Sequence, residues 1–165
     1  SANLDTIDNR LYQAVFRNGH VYTGFNEAFN FGSGTVSAVR YEDINTNTLV
    51  ASQDVRYGAD GFYSWFPAIT TDPSNNIVFV FARSSLSEFA GIRYTGKKTT
   101  DASTEPSALL KAGQECITGG RWGDYFGVGN DPTNTKRVWI YGEYAKNDGI
   151  SSDWDWGTFV GQVSH

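Results

Sequence analysis

Methionine is absent from this 165-residue chain, cysteine occurs once and proline four times. A chain that begins at Ser1 without any methionine is expected to be processed or cut from a longer protein, and it keeps no signal peptide to read. The single cysteine, Cys116, excludes an internal disulfide and leaves the compartment open. Neither His20 nor His165 lies near it in sequence, so it reads as a small, half-buried residue and not as an activated thiol. Two distant histidines also give no zinc or triad constellation. Apolar runs never reach the roughly 18–20 residues of a membrane-spanning helix. Basic charge is short: the formal net charge is -5, which argues against nucleic acid as a partner because phosphates need a basic face. Phosphate-cradling glycine patterns are missing as well, so no cofactor is expected and no catalytic or metal-binding residue is assigned.

Aromatic residues are abundant instead, at 15%, together with 18 glycines. That combination suits short strands joined by tight turns. Helical periodicity is nearly absent, and alternation takes its place. Strands are expected at Leu11 to Phe16, His20 to Phe25, Thr35 to Tyr41 and Thr48 to Val55. A second set runs Pro67 to Thr71, Ile77 to Arg83, Gly91 to Thr95 and Ser107 to Lys111. The last set is Tyr125 to Asn130, Val138 to Tyr144 and Thr158 to Val163. Turn signals such as Asn18-Gly19, Asp72-Pro73 and Asp131-Pro132 separate them. The fold class is therefore all-β.

An internal repeat narrows the architecture. FPAITTDPSNNIVFVFARS, from Phe66, aligns with FGVGNDPTNTKRVWIYGEY, from Phe126, and AVFRNGHVYTGFNEA, from Ala14, is a looser copy. A spacing of roughly 55–60 residues with about four strands per unit is the pattern of β-propeller blades. About three four-stranded antiparallel units follow, at residues 11–57, 62–114 and 122–163, within one segment spanning 1–165. The third shows only three strands. Residues 1–9 hold a candidate blade-completing strand near Leu4 to Ile7. Three blades form a half-ring or a fragment, and both end sheets are expected to expose apolar faces.

RWGDYFGVGNDP from Arg121, VWIYGEYA from Val138 and WGTFVGQV from Trp156 resemble the C-terminal blades of secreted bacterial β-propellers of the sialidase-like superfamily. FPAITTDPSNNIVFVFARSSLSEFAGIRYTGKK resembles their penultimate blade. The resemblance covers roughly Phe62 to Val163. It implies a propeller fold and a secreted, extracellular location. Enzymes of that superfamily use three arginines, a Tyr–Glu pair and an Asp acid. Arg83, Arg93, Arg121 and Glu143 do not map onto those positions by motif. Asp153-Trp154-Asp155-Trp156-Gly157-Thr158-Phe159 is a shortened echo of the Asp-box, which is a structural turn.

The richest candidate site is Arg121, Trp122 and Asp124, with Trp65 from the preceding unit, all at inner-strand entrances. Rings beside Asp and Arg suit a glycan: the rings stack on the sugar's apolar face and the charges bond its hydroxyls. The plainer alternative is a blade-to-blade ion pair of Arg121 and Asp124 with the rings packed between sheets. Asp72 and Asp131 read as turn caps. Asp148, Asp153 and Asp155 lie in a Gly-containing loop of a kind that can hold Ca²⁺, but their spacing is not that of an EF-hand and no bidentate Glu follows. The expected function is a non-catalytic module for binding or scaffolding, with a glycan or protein partner. Its alternative is a subunit of a sialidase-like hydrolase whose site is split between chains. The expected partners are a second copy, head to tail, or the remaining blades of a longer chain.

Overall fold

Successive side chains of a strand point to opposite faces, so a strand that is apolar on both must be covered on both. Ile77-Val78-Phe79-Val80-Phe81-Ala82 is such a run. In the computed structural model, which describes residues 4–149 and 155–164, these six are at most 2% exposed and form the centre of the molecule.

Among the described residues eleven strands are present, each overlapping one expected from sequence. β1 (Gln13–Arg17), β2 (His20–Asn30), β3 (Thr35–Asn45) and β4 (Val50–Tyr57) form the first sheet. β5 (Phe62–Thr71), β6 (Ile77–Ser85), β7 (Glu88–Lys97) and β8 (Ala108–Lys111) form the second. β9 (Gly127–Asn130), β10 (Arg137–Ala145) and β11 (Trp156–Ser164) form the third. Every pairing is antiparallel, each sheet is an open meander, and the described residues contain no helix. Nor do they contain a helix able to cross a membrane.

The sheets stack face to face like blades. Ile77, Phe79 and Phe81 meet Tyr22, Val39 and Tyr41 of the first sheet. Val78, Val80 and Ala82 turn the other way and meet Val138 and Ile140 of the third. The alternation of the repeat predicts Val128 on β9 to be buried like Val138 and Ile140, and it is only half-buried. Each fully buried side chain of this kind contributes about 1.5–3 kcal/mol.

Residues 4–12 contain no strand. The Asp5 N–H donates to the Gly120 carbonyl at 2.7 Å, and Leu4 packs against the core between the second and third sheets. Within one chain this segment therefore crosses the loop before β9 instead of lying beside β11.

The inner turns do the work expected of them. Asn18 (φ 49°) and Gly19 (φ 79°) close the β1–β2 hairpin with left-handed backbone, which suits Asn and Gly. The Asn18 amide donates to Pro73 O at 3.1 Å and to Asn75 Oδ1 at 2.9 Å, tying this turn to the next sheet's. Asp72 caps the β5–β6 turn through Ser74 N and Asn76 N. Asp131 accepts from the Thr133 hydroxyl at 2.7 Å, from Thr133 N at 2.8 Å and from Asn134 N at 3.0 Å. Its second oxygen accepts from Trp139 Nε1 on β10 and Gln162 Nε2 on β11.

These donors, led by Thr133, lower the Asp131 carboxyl from 3.8 to about 2. A folded-state value below the unfolded one means stability that is complete above about pH 4 and lost as pH falls towards 2. Asp131→Asn should therefore show a flatter dependence of melting temperature on pH across that window. An unchanged slope in melts from pH 2 to 6 would refute the assignment.

The two end faces differ, which the sequence did not lead us to expect. The outward face of the first sheet carries a charge network across its centre. Arg40 bonds Asp54 and also reaches Glu27 at 3.4 Å, and Arg56 bonds Glu27 at 2.5 Å. Phe25 and Phe29 lie beneath the two guanidinium groups, with Arg56 at 3.7 Å from its ring. The third sheet instead presents Trp139, Tyr141 and Val160 outward, all exposed.

Candidate functional site

β8 leaves the outer edge of the second sheet and residues 112–126 return the chain to the inner strand of the third. The return loop packs Ile117 and Trp122 into the core. That fixes Arg121, Gly123 and Asp124 above the end of β10, where alternation points Glu143 away from the second sheet. The result is a hollow of about 310 Å³ bounded by Ile117, Arg121, Trp122, Asp124, Glu143 and Trp156.

Of the four residues singled out from sequence, the structure brings three to this hollow. Arg121 and Asp124 form an ion pair at 3.0 Å on its rim. Such an exposed pair contributes little to stability. Trp122 lines the hollow but is only 3% exposed, and Trp65 is 1% exposed. Their rings meet edge to face, 6.2 Å between centroids at 81°. Both faces are thus largely committed to packing between sheets, and the Arg121–Asp124 pair forms within one loop and not between blades. A ring free to stack comes from elsewhere: Trp156, 61% exposed, stands at the start of β11 on the same wall.

At the end of a middle strand, Glu143 is expected from the sequence to be solvated. It is half-buried instead, and Gly123 N donates to its Oε1 at 3.3 Å. Burial pushes its carboxyl up; the Gly123 N–H opposes this and the nearby charge of Asp124 adds to it. A Cβ on Gly123 would fall 1.8 Å from Glu143 Oε2, so a side chain there would displace this carboxylate. The signal was present in the spacing: Glu143 and the Arg121–Asp124 segment occupy neighbouring ends of antiparallel β10 and β9.

The other arginines are committed elsewhere. Arg83 and Arg93 both hold Glu88, at 2.6 and 2.8 Å, and Arg83 stacks over Phe62 at 4.4 Å. Burial alone would raise the Glu88 carboxyl, but the two arginines outweigh it and keep it below its ordinary value. Arg83 and Arg93 thus share Glu88 while Arg121 pairs with Asp124, so the three do not converge on one site.

His20, which had no partner by sequence, places its Nδ1 2.5 Å from Asp43 Oδ1, and the Gln53 amide donates to the other Asp43 oxygen. This pair ties β2, β3 and β4 together and stands far along the chain from the hollow. Cys116 is exposed, not half-buried. Asp153 and Trp154 of the shortened Asp-box echo, and His165, lie outside the described residues. Among the described residues no cluster of three His, Cys, Asp or Glu could hold a metal ion.

No family model, curated protein or solved structure matches this chain. What the site can do is therefore read from its chemistry alone. It offers one exposed indole face, one exposed cation and two carboxyl groups, one of them with a raised affinity for its proton.

Proposed function

We propose that this chain is a non-catalytic binding module of a secreted, sialidase-like β-propeller, and that it holds a saccharide in the hollow beside Trp156. The observation that carries the reading is the exposed Trp156 face set against Arg121, Asp124 and Glu143. A pyranose has apolar C–H faces and a rim of hydroxyls. The indole covers the first, while carboxylates accept from the rim and the guanidinium donates to it. The blade-like stacking and the RWGDYFGV and WGTFVGQV segments support the kinship.

The commitment of Arg83 and Arg93 to Glu88 and of Arg121 to Asp124 weighs against the split hydrolase site. Screening the chain on a glycan array and titrating the hits by calorimetry tests the reading. Trp156→Ala should weaken binding at least about tenfold, the loss of one stacked ring. Asp124→Asn should weaken it less. A saccharide bound equally well by Trp156→Ala places the site elsewhere, and an empty array defeats the reading.

A further inference from the structure

We infer that the outward face of the third sheet is a self-association surface, and that it pairs with the same face of a second copy about a two-fold axis. The register identifies it as a sheet-packing face. Thr71 pairs with Ile77 in the second sheet as Asn130 pairs with Val138 in the third. Counting from those pairs, Val78 and Val80 correspond to Trp139 and Tyr141, and Ala68 corresponds to Gly127. Val78, Val80 and Ala68 are at most 2% exposed because the third sheet covers them. Trp139 and Tyr141 occupy the same positions one sheet further on and are each 45% exposed, beside Val160 at 60%.

Charge decides the occupant. In head-to-tail stacking the first sheet of a second copy would land on these rings. Its outward face holds Glu27, Arg40, Asp54 and Arg56 in ion pairs. Burying that network under indole and phenol would strip its solvent without new partners. The surface of a second copy that matches this face in polarity is the same face, as an isologous contact requires. Shape agrees. Trp139 turns its Nε1 towards Asp131, and nothing lies within 4 Å of where a side chain on Gly129 would begin. Each copy thus carries projecting rings and a glycine recess on one surface, at the mouth of a hollow of about 510 Å³ that runs back to Gln13 of the first sheet and Ala68 of the second. This inference does not rest on saccharide binding and is tested without any sugar.

Sedimentation velocity of the whole chain across the micromolar range is the experiment. The expected result is a closed species of twice 18.2 kDa and nothing larger. Val160→Lys, on an exposed strand position, should weaken pairing at least roughly tenfold by placing a charge in the contact. Gly129→Leu should do the same by filling the recess. Circular dichroism melts confirm that both variants fold. Charge reversal at Arg40 and Arg56 should leave the dimer intact. A monomer throughout the range overturns the inference, as does a dimer that tolerates both face variants. An open-ended series of oligomers that Arg40 and Arg56 reversal abolishes establishes head-to-tail stacking in its place.

Discussion

Replacing Trp122 with alanine is expected to destabilise the fold by about 3–5 kcal/mol, the usual cost of deleting a large buried aromatic. Domains of this size are stable by only about 5–15 kcal/mol, so one substitution removes a large part of the total. The cost follows from position. Trp122 belongs to the core that joins the second and third sheets, and it meets Trp65 edge to face. Neither indole N–H has a hydrogen-bond partner in the protein. That makes the phenylalanine variants informative. Trp122→Phe keeps most of the ring and removes an unpartnered buried donor, so it should cost much less than alanine. A double-mutant cycle over Trp65→Phe and Trp122→Phe should give a coupling of about 0.5–1.5 kcal/mol, the range for aromatic pairs. Chemical denaturation reads all of these. An alanine variant within about 0.5 kcal/mol of the parent would mean that the ring is solvated, contrary to its burial.

The same tryptophan shows what was legible in the sequence and what was not. Alternation and turn chemistry located all the strands, because both are local. Asn18-Gly19, Asp72-Pro73 and Asp131-Pro132 each close a hairpin where expected. The doubly apolar run from Ile77 to Ala82 announced a sheet covered on both sides. Facing was harder. Trp122 and Trp156 are the same residue type in the same unit, yet one is packed into the core and the other is open to solvent. The difference arises from the loop at 112–126 folding back over β10, which no local pattern encodes. The end faces failed for a similar reason. Glu27, Arg40, Asp54 and Arg56 sit on three different strands, and only the register of β2, β3 and β4 gathers them into one network. The repeat is also imperfect in space. Its extra residue in the second unit is absorbed by a bulge at Phe66 and Pro67, between the Trp65 and Ala68 pairings.

That bulge underlies the second large effect: Asn26→Ala should cost roughly 2–4 kcal/mol. Phe66 is fully buried with φ at +52°, a left-handed conformation that a bulky residue adopts only when its surroundings hold it. The Phe66 N–H donates to Asn26 Oδ1 at 2.9 Å, across from the second sheet to β2 of the first. The Asn26 amide in turn donates to Thr6 O at 2.6 Å and to Tyr12 Oη at 2.8 Å. One buried side chain therefore fixes the bulge and fastens residues 6–12 across the strand entrances. Removing it leaves a buried N–H and a carbonyl without partners, each costing about 1–3 kcal/mol. Asn26→Asp separates the two roles. It keeps the acceptor for Phe66 but sets a carboxylate against the Thr6 carbonyl, so the bulge should persist while the N-terminal segment loosens. Amide hydrogen exchange distinguishes the cases. In Asn26→Ala both the Phe66 and Asp5 amides should exchange faster, because Asp5 N–H reaches Gly120 only while the segment is held down. In Asn26→Asp only Asp5 should accelerate. Equal protection of Phe66 in the parent and the alanine variant would show that the bulge is held by packing alone. Tyr12 also meets Tyr125 edge to face, 6.3 Å apart, next to Asp124. Loosening the segment should therefore reach the hollow as well, and weaker saccharide binding in Asn26→Ala than in the parent would report that connection.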